Sequence, residues 1–274
     1  MRVAATQLPL PATSPPRRRA RAQHAPPAAA PRPHPRALAA ILRSRVIACL
    51  RAEDGETALR AAHAAVRGGV TVLPSFHPPL LLLISMPCVV SVGDCDVYTG
   101  SAGGGALFTF LLQVIEDLCR SYPSLTFGVG TVLNAADARK AIGAGAQFLM
   151  SPGTVMEILH DFEESKVLYI PGVMTPTEVL SACSAGAKVV KVYPVSVMGG
   201  DVYMSALKKP FPLVPMVASQ GIQIGSIKGY VEAGASAVVL SDSIFDKELM
   251  RMGKFSEISE HASQATFEAL QSIK

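Results

Sequence analysis

One lysine stands inside an apolar stretch of the chain, where its type and position suit covalent chemistry. Between Val189 and Pro194, period-two alternation places Lys191 on the same strand face as Val189 and Tyr193. A parallel strand covered on both faces makes a charged amine costly, so burial lowers its pKa and increases its neutral fraction. A neutral amine attacks a carbonyl carbon to form a Schiff base. The alternative is a lysine at a frayed strand end whose ammonium reaches water.

Eight short apolar runs, rich in Val, Ile and Leu, alternate with helix-period segments from Arg45 onward. The runs are 46–50, 70–73, 125–129, 147–150, 167–170, 189–193, 214–218 and 237–240. This alternation is typical of βαβ units around a parallel sheet. We therefore expect an α/β protein with a (β/α)8 TIM barrel, because eight such strands close a barrel. An open doubly wound sheet is the alternative, although it would gather a ligand site at one switch point.

The ends of the predicted strands carry small and polar residues that could hold a substrate. In a barrel these ends meet at one rim, where active sites form. The candidates are Thr131, Pro152, Gly153, Gly172, Ser219, Gly221 and Ser243. A threonine hydroxyl can donate a hydrogen bond to a carboxylate, and peptide N–H groups near Pro152-Gly153 and Gly172 could do the same. The alternative for each candidate is ordinary turn and helix-cap chemistry.

Composition and charge exclude several classes of protein. With 49% hydrophobic and 17% charged residues among 274, the chain fits one or two globular domains. The first 52 residues hold ten arginines and no acid, so the remainder, with 15 basic and 21 acidic residues, carries −6 and lacks a nucleic-acid footprint. No apolar stretch approaches the roughly 20 residues of a membrane span. The five scattered cysteines favour a reducing compartment and give no metal-ligand spacing.

Residues 1–36 form a separate basic leader. They contain nine prolines, a run of three arginines from Arg17 to Arg19 and no aliphatic periodicity, so we expect this segment to be disordered. An Arg-rich, acid-free leader resembles an organelle transit peptide, and its prolines oppose the amphipathic helix of mitochondrial import. The interpretation is a chloroplast protein of the plastid stroma. A basic tail without targeting value, and hence a cytoplasmic protein, is the alternative.

An ordered set of phrases resembles one enzyme family. The phrases are Gly-Val-Gly-Thr-Val-Leu at 128–133, Ala-Gly-Ala-Gln-Phe at 144–148 running into Ser-Pro-Gly at 151–153, Ile-Pro-Gly at 170–172, and Lys-Val-Tyr-Pro at 191–194 followed by Gly199-Gly200. Over about residues 40–73 and 114–262 the chain resembles a plant-like member of the 2-keto-3-deoxy-6-phosphogluconate (KDPG) and 4-hydroxy-2-oxoglutarate (KHG) aldolases.

The resemblance implies a fold, an activity and residue roles. These enzymes are class I aldolases on a compact barrel, usually homotrimers, that cleave a 2-keto-4-hydroxy acid into pyruvate and an aldehyde without a cofactor or metal. Lys191 matches the Schiff-base lysine, and Thr131 matches the threonine that contacts the pyruvate moiety. The implied domain is a barrel over residues 40–262, with a C-terminal tail at 263–274. Its partner is a small keto acid, with no nucleic acid or membrane.

Two departures from the family pattern put the activity in doubt. A glutamate expected after the second strand is absent, since Pro74 follows Leu73, and an atypical tract at 74–113 replaces a short connection. His77, Asp94 and Asp96 could substitute for it, although their spacing does not support them. Loss of a proton-transfer group typically reduces the rate by about 10²–10⁴.

The other departure concerns the phosphate end, where family members use glycines. Gln220 precedes Gly221 and Asp242 precedes Ser243, and a carboxylate repels a phosphate. The site could take either a phosphate or a less charged hydroxy-keto acid.

Three functions therefore remain open. The first is an impaired class I aldolase, an aldehyde-lyase. The second is a noncatalytic barrel, a pseudoenzyme subunit. The third is an epimerase or decarboxylase relative, which would require paired acid and base groups on the first three strands, and none is visible there.

Overall fold

Nine parallel strands form one sheet in the computed structural model, which describes residues 36–52, 54–70, 88–91, 103–162 and 165–272. The strands β1 to β9 are Val46–Arg51, Cys88–Ser91, Phe127–Gly130, Phe148–Met150, Leu168–Ile170, Gly172–Val173, Val190–Val192, Met216–Ser219 and Ala237–Leu240. The helices α1 to α10 are Arg36–Ser44, Gly55–Val70, Gly103–Ser121, Ala135–Gly143, Met156–Asp161, Pro176–Ser184, Gly200–Lys208, Ile227–Glu232, Lys247–Arg251 and Phe255–Gln271. Two short 3₁₀ turns lie at Ser196–Met198 and Ile224–Ser226.

The sheet closes into a barrel through an interrupted strand. Its order is β5-β4-β3-β2-β1-β9-β8-β7-β6, and β5 and β6 are separated in the chain only by Pro171. Because β5 pairs with β4 while β6 pairs with β7, the two are halves of one strand position. Eight positions therefore form the closed (β/α)8 barrel that was expected, and the open doubly wound sheet is wrong.

Two apolar layers hold the barrel together. The outer layer lies between strands and helices and includes Val190 and Val192 of β7. The inner layer fills the lumen with alternate strand residues such as Ile47, Phe148 and Val189. This division into two layers is the consequence of period-two side-chain alternation along each strand.

Helix α1 closes the end of the barrel where the strands begin. It stops at Ser44, two residues before β1, and presents Ala37, Leu38 and Ile41 to the inner layer. Because α1 covers this end, we expect the active site at the opposite rim of the barrel, where the strands end.

The second strand is not where the apolar pattern predicted it. Val70 is the last residue of α2, residues 71–73 lie outside the described part of the chain, and β2 is Cys88–Ser91. Strand β2 pairs with β1 and β3, so the tract at 74–113 supplies a barrel strand and also the start of α3. The run cannot begin a strand at Val70 because Val70 still belongs to α2, whose Gly68 packs so closely against α10 that a Cβ would come within 2.1 Å of the Ser259 carbonyl oxygen.

The predicted C-terminal tail at 263–274 is, as far as Gln271, part of α10. Ala265, Thr266 and Ala269 are buried on the face that packs against the barrel layer. In the described part of the chain, the helices that pack on the barrel thus include α1 from Arg36 and α10 to Gln271. The predicted leader, apart from Arg36, lies outside the described residues. None of the described helices has the length and apolar character needed to cross a membrane.

Candidate active site

Lys191 lies on the inner face of β7, buried to 7% exposure. Its strand neighbours Val190 and Val192 face the outer layer, as the alternation predicted. The amine does not reach bulk water, so the frayed-end alternative is wrong. Desolvation by burial, reinforced by the nearby positive charge of Arg51 and opposed by Cys49, lowers the pKa of Lys191 from 10.5 to about 8. Roughly one amine in ten is then neutral at pH 7, far more than for an exposed lysine.

Two residues of β1 beside this amine were missed by the sequence analysis. Cys49 is buried in the inner layer, and burial raises the pKa of its thiol, while Arg51 and Lys191 oppose that rise. Arg51 stands two residues further along the strand and therefore on the same face. The alternation of Ile47, Cys49 and Arg51 could have revealed both residues, because it parallels that of Val189, Lys191 and Tyr193 in and directly beside β7.

Tyr193 contributes an aromatic wall. Its ring centroid lies 4.6 Å from Lys191 Nζ, close enough for a cation–π interaction when the amine is protonated. Tyr193 is only partly buried, in contrast to Lys191. It therefore lines the opening through which a carbonyl compound would approach the amine.

Thr131 follows β3 in a left-handed conformation, with φ at 58°. A buried network fixes the backbone after it: Ser151 Oγ donates to the Val132 carbonyl at 2.5 Å, and Tyr169 Oη donates to Ser151 Oγ at 2.9 Å. The Val155 N–H in turn donates to Tyr169 Oη at 3.0 Å. An unfavourable backbone conformation persists where surrounding contacts enforce it, so this network holds Thr131 at the rim.

Pro152 and Gly153 form the neighbouring part of the rim, against Gly172. A Cβ on Gly172 would lie 2.0 Å from the Pro152 carbonyl oxygen, so only glycine allows this approach. The Gly172 N–H donates to the Gly153 carbonyl at 3.2 Å. The loop itself uses that donor in this structure, so binding of substrate by the Gly172 N–H stays a prediction. The role of Gly172 is to bring two loops together.

The loops after β8 and β9 form the opposite side of the rim. Ser219 is buried at the end of β8, and the next two residues, Gln220 and Gly221, have φ values of 86° and 71°. Ser196 Oγ donates to Gln220 Oε1 at 2.5 Å, and a Cβ on Gly221 would collide with Ser196. The Gln220 side chain thus extends across the turn that carries Ser196.

Ser243 follows β9 and its hydroxyl already has a partner. Ser243 Oγ donates to the Ile222 carbonyl at 3.2 Å, which ties the last two rim loops together. The exposed Asp242 lies next to it and accepts a hydrogen bond from Ser241 Oγ at 3.3 Å. This side of the rim therefore carries the carboxylate of Asp242 and the side-chain amide of Gln220.

Within the described residues, no three His, Cys, Asp or Glu side chains gather as a metal site requires. Strand β2 contains no carboxylate either, since its residues are Cys88, Val89, Val90 and Ser91. In the register of the sheet, Ser91 of β2 lies opposite Arg51 of β1 on one side and Gly130 of β3 on the other. His77, Asp94 and Asp96 lie outside the described part of the chain.

Known proteins match both the sequence and the fold. Residues 109–261 match the family model for KDPG and KHG aldolase. A 2-dehydro-3-deoxy-phosphogluconate aldolase of Treponema pallidum is 32% identical over 158 residues, covering 56% of this chain and 72% of the relative. The KHG/KDPG aldolase of Escherichia coli is 26% identical over 154 residues, with the same coverage of 56% and 72%.

Among solved structures, a KDPG aldolase of Legionella pneumophila, which holds pyruvate as a covalent carbinolamine, is similar with a TM-score of 0.66. It is 23% identical, and the match covers 83% of this chain and 96% of the other. Fold and matches together define a barrel aldolase of the Schiff-base class. The chain belongs to the KDPG and KHG aldolase family, and with that family it is an aldehyde-lyase whose products are pyruvate and an aldehyde.

Proposed function

We propose that Lys191 is the amine that forms the Schiff base, with a 2-keto-4-hydroxy acid as substrate. The neutral amine adds to the C2 carbonyl carbon, and loss of water leaves an iminium. When the C3–C4 bond breaks, its electron pair moves toward the iminium nitrogen and gives an enamine. The C4 hydroxyl loses its proton to solvent, the O–H electron pair becomes the second C–O bond, and C4 leaves as an aldehyde. Protonation at C3 and hydrolysis release pyruvate and the free lysine. The observation that carries this proposal is a buried lumen amine whose pKa is about 8.

The substrate carboxylate is proposed to lie between Arg51 and Thr131. Arg51 supports this placement because its charge acts on Lys191 from the neighbouring inner face of β1. A guanidinium binds a carboxylate through two parallel hydrogen bonds, and a threonine hydroxyl adds a third. The rim at Pro152 and Gly153 is the further candidate for this end of the substrate.

For the distal end of the substrate, we propose a group other than phosphate. Gln220 stands in the loop after β8 and is bonded to Ser196, Ser243 is bonded to Ile222, and Asp242 adds a negative charge. A dianionic phosphate is repelled by that charge more than a single carboxylate is. Ser219 and Gly221 would then contact a short hydroxy-keto acid. Cleavage of KHG faster than KDPG by the purified chain is the expected result.

Trapping experiments test the Schiff base directly. Incubation of the purified chain with pyruvate and borohydride is expected to give a mass adduct on Lys191, and Lys191→Ala is expected to abolish it. Absence of the adduct from the unsubstituted chain overturns the proposal.

A noncatalytic barrel is the second candidate, and the observation that favours it is β2 without a carboxylate. An adduct without any aldehyde release from KHG or KDPG supports that candidate. Release of aldehyde that disappears in Lys191→Ala excludes it. The proposed aldolase is expected to show slow turnover, because the missing carboxylate reduces the rate by about 10²–10⁴.

We also propose a homotrimer and import into the plastid. Large apolar side chains are exposed on the 3₁₀ turn after β7 and on α7, with Val197 at 71% and Val202 at 76% exposure, as a subunit interface requires. Light scattering after gel filtration is expected to give three times the monomer mass. Val202→Asp places a charge in the proposed interface and is expected to lower the measured mass.

The leader supports the proposed import, since it is rich in arginine and free of acid. A fluorescent protein fused to residues 1–50 is expected to enter plastids, whereas a cytoplasmic signal contradicts import.

A further inference from the structure

The distal end of a substrate bound to Lys191 extends toward the loop that follows β8. Lys191 lies opposite Val217 in the register of the sheet, and Gln220 follows Val217 by three residues, a rise of about 10 Å toward the rim. The amine leans in that direction, because its nitrogen lies 4.6 Å from the ring centroid of Tyr193, two residues further along the chain. A lysine side chain of about 6 Å and a span of about 4 Å from C2 to C5 of the substrate cover this rise. Gln220 therefore stands at the height of C5.

Gln220 has a backbone conformation that glycine adopts more readily. Its φ of 86° lies in the left-handed region, which is unfavourable for a residue with a side chain. Two contacts with the loop after β7 hold it there. Ser196 Oγ donates to Gln220 Oε1 at 2.5 Å, and Gly221 approaches so closely that a Cβ on it would lie 2.3 Å from Ser196 Oγ. An unfavourable conformation that its surroundings enforce indicates a role in the site.

The hydrogen bond to Ser196 determines which end of the Gln220 amide is directed at a ligand. The oxygen and the nitrogen of a carboxamide point in different directions from one carbon atom, so with Oε1 held by Ser196 the Nε2 group points away from that loop. The side chain is exposed at the rim, and its two N–H donors carry no charge. Such donors suit a single carboxylate, whereas the carboxylate of Asp242 on this side of the rim repels a dianionic phosphate more strongly.

We propose that Gln220 is a specificity-determining residue of this aldolase, whose Nε2 group donates to a carboxylate at C5 of the substrate, and that Ser196 is the positioning residue that holds the amide in this orientation. The inference rests on the proposed Schiff base at Lys191. It identifies the distal group by its chemistry, as an anionic hydrogen-bond acceptor bonded directly to C4. A substrate with an alkyl group in that place offers the amide no acceptor, so the site favours a 2-keto-4-hydroxy diacid.

Trapping on Lys191 measures this contact without requiring turnover. The concentrations of KHG and of pyruvate that give half-maximal borohydride trapping are compared, with both adduct masses counted for KHG, because pyruvate forms the same Schiff base and has no C5 carboxylate. Gln220→Glu preserves the shape and the acceptor for Ser196 but replaces the donor by a charge that repels a carboxylate. It is expected to raise the half-saturating concentration of KHG about 10–100-fold and to leave that of pyruvate within about twofold.

Gln220→Gly is the second variant, because glycine accepts the backbone conformation at this position and the fold is retained. It removes the amide and is expected to weaken trapping by KHG alone. Gln223→Glu makes the same change of charge at an exposed position of the same loop and is the matched control, with both half-saturating concentrations unchanged.

Ser196→Ala tests the positioning role. In the otherwise unsubstituted chain it is expected to weaken trapping by KHG, and Ser196→Thr, which keeps a hydroxyl donor, is expected to preserve it. In the Gln220→Gly chain, Ser196→Ala should have no further effect on KHG, because no amide is left to orient.

Unchanged trapping of KHG in both Gln220 variants overturns the inference. An equal loss for KHG and pyruvate also overturns it, since that result indicates a structural role, and so does a loss in Gln223→Glu as large as that in Gln220→Glu. Ser196→Thr that behaves like Ser196→Ala contradicts the positioning role of the hydroxyl. Failure of the unsubstituted chain to trap pyruvate overturns the proposed function instead.

Discussion

At the scale of single residues, burial of the Lys191 amine in the barrel lumen destabilises the folded chain and makes the amine more reactive. A buried ammonium loses its hydration, and its surroundings return little: Cys49 and the Tyr193 ring favour the charged form, but Arg51 repels it. The same desolvation that lowers the pKa increases the neutral amine at physiological pH. Burial of Lys191 therefore increases the reactivity of its amine and lowers the stability of the fold.

Replacement of this lysine by methionine is expected to stabilise the fold at neutral pH. The pKa falls from 10.5 to about 8 on folding, which corresponds to about 3 kcal/mol of destabilisation by the charged form. Between pH 8 and 10.5 the unfolded chain binds the extra proton, so the stability of the unsubstituted chain rises with pH in that window. The advantage of Lys191→Met should therefore be full below about pH 8 and disappear toward pH 10.5. Urea titrations of both chains at several pH values measure the difference between their unfolding free energies. A difference that does not change with pH contradicts the prediction.

At the scale of elements, the rim loops are joined by hydrogen bonds between buried groups rather than by apolar packing. Ser151 at the end of β4 bonds to the loop after β3, and Tyr169 of β5 bonds to Ser151 and to the loop before α5. The loop after β3, the loop after β4 and strand β5 thus share one network. Removal of these hydrogen bonds should displace Thr131 more than it disturbs the strands of the barrel.

Tyr169→Phe is expected to destabilise the chain by about 1–3 kcal/mol, because the partly buried Val155 N–H loses its acceptor and the buried Ser151 hydroxyl loses a donor. The KM for the keto acid should rise more than kcat falls, since Thr131 is displaced while Lys191 is not. Ser151→Ala should have a similar effect, and the double variant should cost less than the sum of the two. Strict additivity in a thermal or urea series argues against a shared network.

The contact between the loops after β4 and β5 gives a second prediction at this scale. Gly172→Ala places a methyl group against the Pro152 carbonyl and is expected to cost about 1–3 kcal/mol or more. Gly153→Ala is the matched control, because a Cβ there meets nothing within 4 Å. Its stability should change by less than about 0.5 kcal/mol. Equal unfolding free energies for the two variants contradict the assigned role of Gly172.

Seven of the eight predicted strands are confirmed, because an apolar run between two helix-period segments has few other ways to be buried. Lys191 was found because one charged residue interrupts such a run. The strand predicted from Val70 was wrong, because Val70 ends α2 and the strand that pairs with β1 and β3 is Cys88–Ser91. Local propensity cannot reveal which of two apolar segments pairs with strands so distant in the chain.

The rim was only partly predictable. Small residues at strand ends correctly indicated where loops meet, but whether a donor is available depends on its partner, as Gly172 and Ser243 show. Arg51 was missed because an arginine after an apolar run is typical of a strand that ends in solvent. Its alternation with Cys49 was the available signal.

At the scale of the whole molecule, the two ends of the barrel have separate tasks. The rim carries the amine, the loops and the charged groups, whereas the opposite end is closed by the apolar face of α1. In barrels of this kind, stability is concentrated at the end away from the chemistry. Substitutions in α1 should therefore change stability and leave the Schiff base intact.

Leu38→Ala tests this division. Leu38 is 2% exposed in the inner layer, so the cavity left by the substitution is expected to cost about 2–5 kcal/mol. Leu42→Ala makes the same change at a partly buried position of the same helix and should cost less. Pyruvate trapping on Lys191 should persist in both variants at a temperature where they are folded. Equal costs from calorimetry indicate that α1 does not close the barrel.

The position of α1 also constrains how the chain could mature. Arg36 opens the helix that seals the lumen, and the proline-rich leader ends immediately before it. A processing peptidase that cut upstream of Arg36 would leave a sealed barrel. A cut only a few residues later would remove Leu38 and Ile41 and open the lumen to water from below. For the proposed import, trimming of the leader upstream of α1 is thus a condition for a stable enzyme, and the amino terminus of an imported chain is expected to fall before Arg36.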